Sequence, residues 1–137
     1  MPPIENSPTN EVKYLSLEQV LTAHTALIKR YGGSQGIRDR GLLESAVFRP
    51  QASAFGQEAY PDLFEKCAVL GYSIIQNHPF VDGNKRTGFA AMHLMLLINS
   101  YDLTSSSEEE VAMAEDIACR KIHEPEVAIW LKEHSKK

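Results

Sequence analysis

The chain has 137 residues, of which 43% are hydrophobic, enough for one packed domain and too few for two. Its formal net charge of -4 lacks the positive excess that draws a protein to nucleic acid or to an anionic membrane. The two cysteines have neither metal-ligand spacing nor the density of a secreted disulfide scaffold, and no stretch is long and apolar enough for a membrane span. We therefore expect a cytoplasmic protein that binds neither nucleic acid nor a membrane directly.

The N-terminal part of the sequence predicts a lead-in followed by a capped helix. Three prolines and few large apolar residues precede residue 11, so we expect residues 1–13 to be poorly ordered and the domain to span 14–137. Ser16 and Gln19 have the spacing of a capping box, and apolar residues then recur with helical periodicity up to a Gly-Gly pair. A first helix should therefore begin just after Ser16.

The rest of the chain predicts further helices and little else. Helical periodicity recurs near residues 40–48, 61–77 and 84–99, in a segment preceded by the capping-box pair Ser107 and Glu110, and after Pro125. The stretch 84–99 is apolar around most of its circumference, as expected of a central helix that is packed on several sides. The sequence thus indicates an all-α fold, a compact single-domain helical bundle.

One segment, residues 51–60, departs from this helical pattern. It has no helical stripe, and Gly56 lies near its middle. We interpret it as a short hairpin or a lid.

The loop before the central helix concentrates polar groups that suit a phosphate. The first amides of a helix have no intrahelical acceptor, and the helix dipole reinforces their attraction for an anion. Gly83 would let a phosphate approach the backbone closely, and Asn84 can cap the helix and hold the loop in shape. Lys85 and Arg86 add two cations at the positive end of the dipole, an arrangement that favours a bound anion.

Three residues ahead of these cations have separate chemical tasks. Asp82 is a hard oxygen donor of the kind that binds Mg²⁺ together with phosphate oxygens. His78 is the group here whose ordinary pKa lies near neutrality, so it can take a proton from an attacking hydroxyl. Phe80 can fix the loop as an apolar peg into the core. Positioning, charge neutralisation and a base are the main requirements of phosphoryl-type transfer.

The segment His78 to Thr87, which reads His-Pro-Phe-Val-Asp-Gly-Asn-Lys-Arg-Thr, resembles the signature loop of the Fic/Doc (Fido) family, and most of all its death-on-curing branch. Similar surroundings extend the resemblance over roughly residues 14–102. It implies an all-helical fold, ATP or another nucleoside triphosphate as donor, and Mg²⁺ held by Asp82. It also implies that His78 is the general base toward a target hydroxyl, that Gly83 and Asn84 form an anion-binding loop, and that the two following cations contact phosphates.

Two departures from the adenylylating pattern of that family favour another reaction. Adenylylating members usually have glycine at Lys85 and a second arginine at Phe89. A lysine there favours a reversed nucleotide with its terminal phosphate toward the hydroxyl, which means phosphorylation. Gly83 matches the adenylylating pattern instead, so transfer of a nucleoside monophosphate stays open. A catalytically silent module that binds an anion or an antitoxin is a third interpretation.

The resemblance also implies partners. Family toxins are often silenced by an antitoxin motif, and none is intact in this sequence, so we expect a separate antitoxin protein. The target would be a protein of the translation machinery, modified on Ser or Thr. The segment 51–60 lies where the family has its flap, so Phe55 and Gly56 are expected to contact the target.

The remaining histidines and cysteines receive structural interpretations. His93 is expected to be a satisfied core residue, and His24 has no recognisable partner. Cys67 and Cys119 are expected to be inert thiols among apolar helix residues.

Overall fold

The computed structural model describes residues 11–137, and six α-helices account for most of that part of the chain: α1 Leu17–Tyr31, α2 Arg40–Phe48, α3 Leu63–Asn77, α4 Asn84–Ile98, α5 Ser107–Ala118 and α6 Glu124–Glu133. A short 3-10 turn, Arg49–Gln51, follows α2, and two small antiparallel sheets pair β1 (Ser53–Ala54) with β2 (Gln57–Glu58) and β3 (Asp102–Leu103) with β4 (Ser135–Lys136). The predicted all-α class is confirmed. In this described part, no helix combines the length and the apolar character needed to cross a membrane.

The two central helices, α3 and α4, cross at a pair of glycines. A Cβ atom added at Gly71 would lie 2.8 Å from the carbonyl oxygen of Gly88, and one added at Gly88 would lie 2.9 Å from the carbonyl oxygen of Gly71. Larger residues at either position would force the backbones apart, and overpacking of this kind typically costs about 1–3 kcal/mol. The crossing lies six residues before the end of α3 and four residues after the start of α4, so it holds near each other the two helix ends that the loop joins.

Side-chain caps set where the helices begin. The capping box of Ser16 and Gln19 is present and confirms the predicted start of α1. α3 begins at Leu63, two residues after the predicted Pro61, because the Asp62 carboxylate accepts hydrogen bonds from the amides of Phe64 and Glu65. Capping thus selects the first helical residue more sharply than hydrophobic periodicity does.

The predicted cap of α5 is wrong by one residue. Three serines followed by three glutamates offer several frames with the same spacing, and the structure uses Ser106 with Glu109. Glu110, expected to belong to the box, instead accepts a hydrogen bond from the Ser105 hydroxyl at 2.9 Å. The observed frame buries Met113, Ala114 and Ile117 against the core.

The hairpin predicted in residues 51–60 is present as β1 and β2. Its two turn residues, Phe55 and Gly56, both have positive φ, 55° and 78°, as the tightest hairpin turns require. The base of the hairpin is tied to α3 by Lys66, which is 1% exposed and whose Nζ lies 2.7 Å from Glu58 Oε1 and 3.3 Å from the carbonyl oxygen of Pro50. The hairpin is therefore anchored at its base, while its tip extends into solvent.

Both ends of the described chain pack beside the C-terminal end of α4. The main chain of Lys13 exchanges two hydrogen bonds with the Asn99 side chain, at 2.9 and 2.8 Å. β4 pairs with β3, a small sheet that the sequence did not predict. Most of the expected lead-in, residues 1–13, lies outside the described residues.

Candidate active site

The loop between α3 and α4 is shaped by one asparagine side chain. The amide of Phe80 donates to Asn84 Oδ1, and Asn84 Nδ2 donates to the Phe80 carbonyl, both at 3.0 Å. Asn84 therefore holds the loop in shape, but the expectation that it caps the helix is wrong, because it is the first residue inside α4 and its side chain bonds the backbone of Phe80 instead. Gly83 occupies the cap position of α4 and supplies no side-chain cap. The first amides of α4 consequently remain available to an anion.

Arg38, which precedes α2, fixes the other end of the loop. Its guanidinium donates to the carbonyl oxygens of His78 and Asn77 at 2.6 and 2.7 Å, and its own amide donates to the carbonyl of Pro79 at 2.7 Å. These bonds satisfy carbonyls at the end of α3, where the chain turns through His78 in a left-handed conformation, with φ 48° and ψ 58°. The left-handed backbone at His78 is thus held by Arg38.

His24, on α1, supports the middle of the loop, which its sequence context did not reveal. It is 3% exposed, its ring stacks on Phe80 at 3.8 Å between centroids, and its Nε2 lies 2.8 Å from the carbonyl oxygen of Asp82. The expectation that His24 has no partner is wrong. The sequence feature that could have indicated this role is the position of His24 in the buried stripe of α1, between Val20 and Ile28. A buried polar side chain needs a hydrogen-bond partner. Phe80 itself is 1% exposed, in accord with its expected role as a peg.

Two backbone amides position the Asp82 carboxylate. Its Oδ1 accepts from the amide of Gly83 at 2.9 Å, and its Oδ2 accepts from the amide of Ser34 at 3.2 Å. Gly33 allows the second contact, because a Cβ atom at that position would lie 2.7 Å from Oδ2. Each carboxylate oxygen retains a further lone pair after these bonds. Asp82 is exposed, so those lone pairs can still reach a ligand.

The two cations of the loop are held by partners from different helices. Lys85 Nζ pairs with Glu115 of α5 at 2.8 Å, and the guanidinium of Arg86 stacks over the ring of Tyr31 at 4.3 Å, at the end of α1. Both cations are exposed. The lysine expected to contact phosphates therefore carries an acidic partner in this structure.

A cavity of about 910 Å³ brings most of the predicted residues together. His78, Asp82 and Gly83 line it, together with Asn84, Lys85 and Arg86. The walls of the cavity come from α1, α4 and α5. Their apolar residues include Leu27, Phe89, Ala90, Val111 and Ala114. An imidazole, a carboxylate and an uncapped helix start thus open into one space.

One predicted role, that of His93, differs from what the cavity shows. His93 is not a core residue; it lines the cavity, and its Nε2 lies 2.9 Å from Asp102 Oδ1. The hairpin tip is not among the lining residues, and Phe55 is fully exposed beyond the cavity. Of the two cysteines, Cys67 is buried as expected, and burial raises the pKa of its thiol. Cys119 is exposed, contrary to its expected apolar surroundings.

A family profile described as the Fic/DOC family matches residues 14–96. The chain belongs to the Fic/DOC family. The match includes α1, the Arg38 segment, the loop and most of α4, so every residue that shapes the loop lies inside the family region. Over 105 residues the chain is 46% identical to "Toxin Doc" of Mycolicibacterium smegmatis (strain ATCC 700084 / mc(2)155), covering 77% of each protein. Over 97 residues it is 35% identical to "Protein kinase doc" of Escherichia phage P1, covering 71% of this chain and 76% of that protein.

Proposed function

We propose that this protein is the toxin of a type II toxin–antitoxin system, which transfers the terminal phosphoryl group of ATP to a Ser or Thr hydroxyl of a target protein in the cytoplasm. One observation carries the proposal: His78, Asp82 and the uncapped start of α4 line a single cavity. One relative is named as a toxin and another as a protein kinase, which supports the toxin part and the kinase part of the proposal respectively.

Each residue has a defined task in this reaction. His78 takes the proton of the attacking hydroxyl as its oxygen bonds to the terminal phosphorus, while the bond to the bridging oxygen breaks and ADP leaves. The amides at the start of α4, beside Gly83 and Asn84, hold the phosphoryl oxygens. Arg86 and Lys85 offset the negative charge, after Lys85 exchanges Glu115 for a phosphate.

Asp82 fits the role of a Mg²⁺ ligand. Its carboxylate is oriented by the amides of Gly83 and Ser34 and keeps lone pairs free, and it lies beside the proposed phosphate site. The described residues contain no cluster of three or more acidic, histidine or cysteine ligands that would form an all-protein metal cage. One carboxylate with phosphate oxygens and water is the arrangement that Mg²⁺ commonly uses. When bound, the ion would neutralise charge on the nucleotide.

The surroundings of Phe89 favour phosphorylation over adenylylation. The resemblance implies a second arginine at this position in adenylylating members, whereas Phe89 is 8% exposed and packs edge-on against Trp130. The site therefore offers no cation one turn beyond Arg86. Adenylylation is the second candidate, because Gly83 matches its loop pattern. A silent binding module is the third.

We infer two macromolecular partners. A separate antitoxin would restrain the toxin, and a protein of the translation machinery would be the target. The exposed hairpin tip, Phe55 and Gly56, would contact that target, by strand pairing at the short edge of β1 or β2.

The test is incubation of the chain with Mg²⁺, a cell extract and ATP labelled in turn at its terminal and its innermost phosphate. We expect protein-bound label only from the terminal phosphate, and its loss in His78→Ala. His123→Asn is the matched control, because His123 lies outside the cavity and asparagine retains an N-cap for α6. Label from the innermost phosphate would mean adenylylation. Absence of label from either position would favour the silent binding module.

A further inference from the structure

The cavity continues well beyond the proposed phosphate site. Arg86, Ala90 and His93 share one face of α4, with the spacing i, i+4 and i+7, and all three line the cavity. Seven residues of α-helix span about 10.5 Å along the axis. A terminal phosphate at the start of α4 is too far away to touch His93, but the nucleoside at the other end of the same nucleotide can extend to it.

The side chain of His93 is oriented by a carboxylate. Its Nε2 lies 2.9 Å from Asp102 Oδ1, and the same oxygen accepts the amide of Leu103 at 2.7 Å. The hydrogen bond from His93, with that of Leu103, holds the pKa of Asp102 below its usual range, so the carboxylate stays ionised. A carboxylate can only accept, so Nε2 carries the proton, and in the neutral imidazole Nδ1 is then an acceptor. No hydrogen-bond partner for Nδ1 of His93 is found among the described residues.

The cavity walls near His93 are mostly apolar. Asp102 lies in β3, whose position is fixed by pairing with β4. Between α4 and α5 the cavity wall is formed by Ala90, Val111 and Ala114, and Val111 is 66% exposed although it is a large aliphatic residue. Ligand pockets typically combine such apolar walls with a few polar groups that fix orientation.

We propose that the far end of the cavity binds the nucleoside of the donor nucleotide and that His93, oriented by Asp102, accepts a hydrogen bond from it. The donor of that bond is an amino group of the base or a hydroxyl of the ribose. This inference rests on the proposed function, because it requires a nucleotide whose phosphates bind at the loop. It makes His93 a specificity residue of the reaction and leaves the chemistry to His78.

Binding of ATP and of inorganic tripolyphosphate, each with Mg²⁺, to the full chain tests the subsite by calorimetry. In His93→Leu we expect ATP to bind about three- to tenfold more weakly, as for the loss of one hydrogen bond, while tripolyphosphate binds as before. Asp102→Asn, which removes the charge that fixes the imidazole, should weaken ATP binding in the same direction. His134→Gln is the control, because His134 lies outside the cavity and stacks on Trp130. Inosine triphosphate, which lacks the amino group of the base, and 2′-deoxy-ATP, which lacks one ribose hydroxyl, then show which group donates to His93. The analogue that lacks the donating group should bind wild type and His93→Leu with equal affinity.

The outcomes separate the subsite from the function. Unchanged ATP affinity in both variants, with tripolyphosphate bound normally, would overturn the subsite alone. An equal loss of ATP and tripolyphosphate would also overturn it, since His93 would then act through the loop. A raised KM for the protein target with unchanged ATP affinity would assign this end of the cavity to the target polypeptide. Failure of the wild-type chain to bind either probe would overturn the proposed function and the subsite together.

Discussion

Nε2 of His24 donates a hydrogen bond to the carbonyl oxygen of Asp82, 58 positions later in the chain, at 2.8 Å. The same ring lies flat on Phe80, with 6° between the two planes. α1 therefore supports two residues of the loop between α3 and α4 through one side chain, which fixes the backbone of Asp82.

His24→Leu should lower the rate of label transfer by about 10- to 100-fold, in the range found when a residue that supports a metal ligand is removed. His24→Phe retains a ring against Phe80 but loses the hydrogen bond, so it should retain more stability than His24→Leu and little more activity. Steady-state rates against Mg²⁺ concentration, with thermal unfolding measured beside them, check this. Equal rates in wild type and His24→Phe would show that the hydrogen bond to Asp82 is dispensable.

Gly33 and Gly32 offer a matched pair of substitutions beside Asp82. Both have positive φ, 116° and 92°, so alanine is strained at either position. Only at Gly33 would the new Cβ meet the carboxylate, 2.7 Å from Asp82 Oδ2, whereas at Gly32 it meets nothing within 4 Å. Gly33→Ala should therefore raise the Mg²⁺ concentration needed for half-maximal activity, and Gly32→Ala should only lower the melting temperature. The same Mg²⁺ requirement in both variants would contradict the proposed role of Asp82.

Glu115 should compete with the nucleotide for Lys85. The pair is half exposed, with side-chain exposures of 50% and 51%, and such pairs contribute about 0.2–1 kcal/mol. Glu115→Gln should strengthen ATP binding by about two- to fivefold, because the lysine no longer needs to leave a carboxylate. Calorimetry at low and high salt measures the effect, which should shrink as salt screens the wild-type pair. Weaker ATP binding in Glu115→Gln would show that Glu115 positions the lysine for the phosphate.

The buried Lys66 should make the stability of the hairpin depend on alkaline pH. Burial opposes its charge, but hydrogen bonds to Glu58 and Tyr14 outweigh that effect and raise the pKa of Lys66. A raised pKa in the folded state contributes stability that is complete at neutral pH and is lost as the pH rises through the folded value. Above about pH 10.4, the ordinary lysine pKa, the melting temperature of the wild type should therefore fall relative to that of Lys66→Met. Lys132→Met, at an exposed lysine of α6, should show no such shift.

The sequence predicted the number and type of the helices, because each one carries a long apolar stripe or a capping pair. It also located the loop, since His78 to Arg86 is a dense local pattern, and the structure opens these residues into one cavity. The chemistry assigned to them stays a prediction. The frame of the α5 cap was not determined, because neighbouring Ser and Glu pairs have identical spacing and only core packing selects among them.

The residues that support the site were beyond prediction because their partners are distant in sequence. His24, Arg38 and Ser34 each bond a loop residue 40 or more positions later, and none belongs to a local motif. His93 was misassigned because its neighbours in sequence are apolar, although its own face of α4 opens into the cavity. The pairing of β3 with β4 joins chain segments that carry no strand pattern of their own.

These long-range supports mean that α3, α4 and their loop do not form the site by themselves. The loop follows α3 and starts α4, yet its backbone is held by α1 and by the Arg38 segment, so a fragment that lacks them would leave Asp82 and His78 without their supports. Partial unfolding that detaches α1 should abolish the reaction while α3 and α4 remain paired through their glycines. A ligand that binds α1 and detaches it from the loop would then control the proposed reaction without touching a reacting atom.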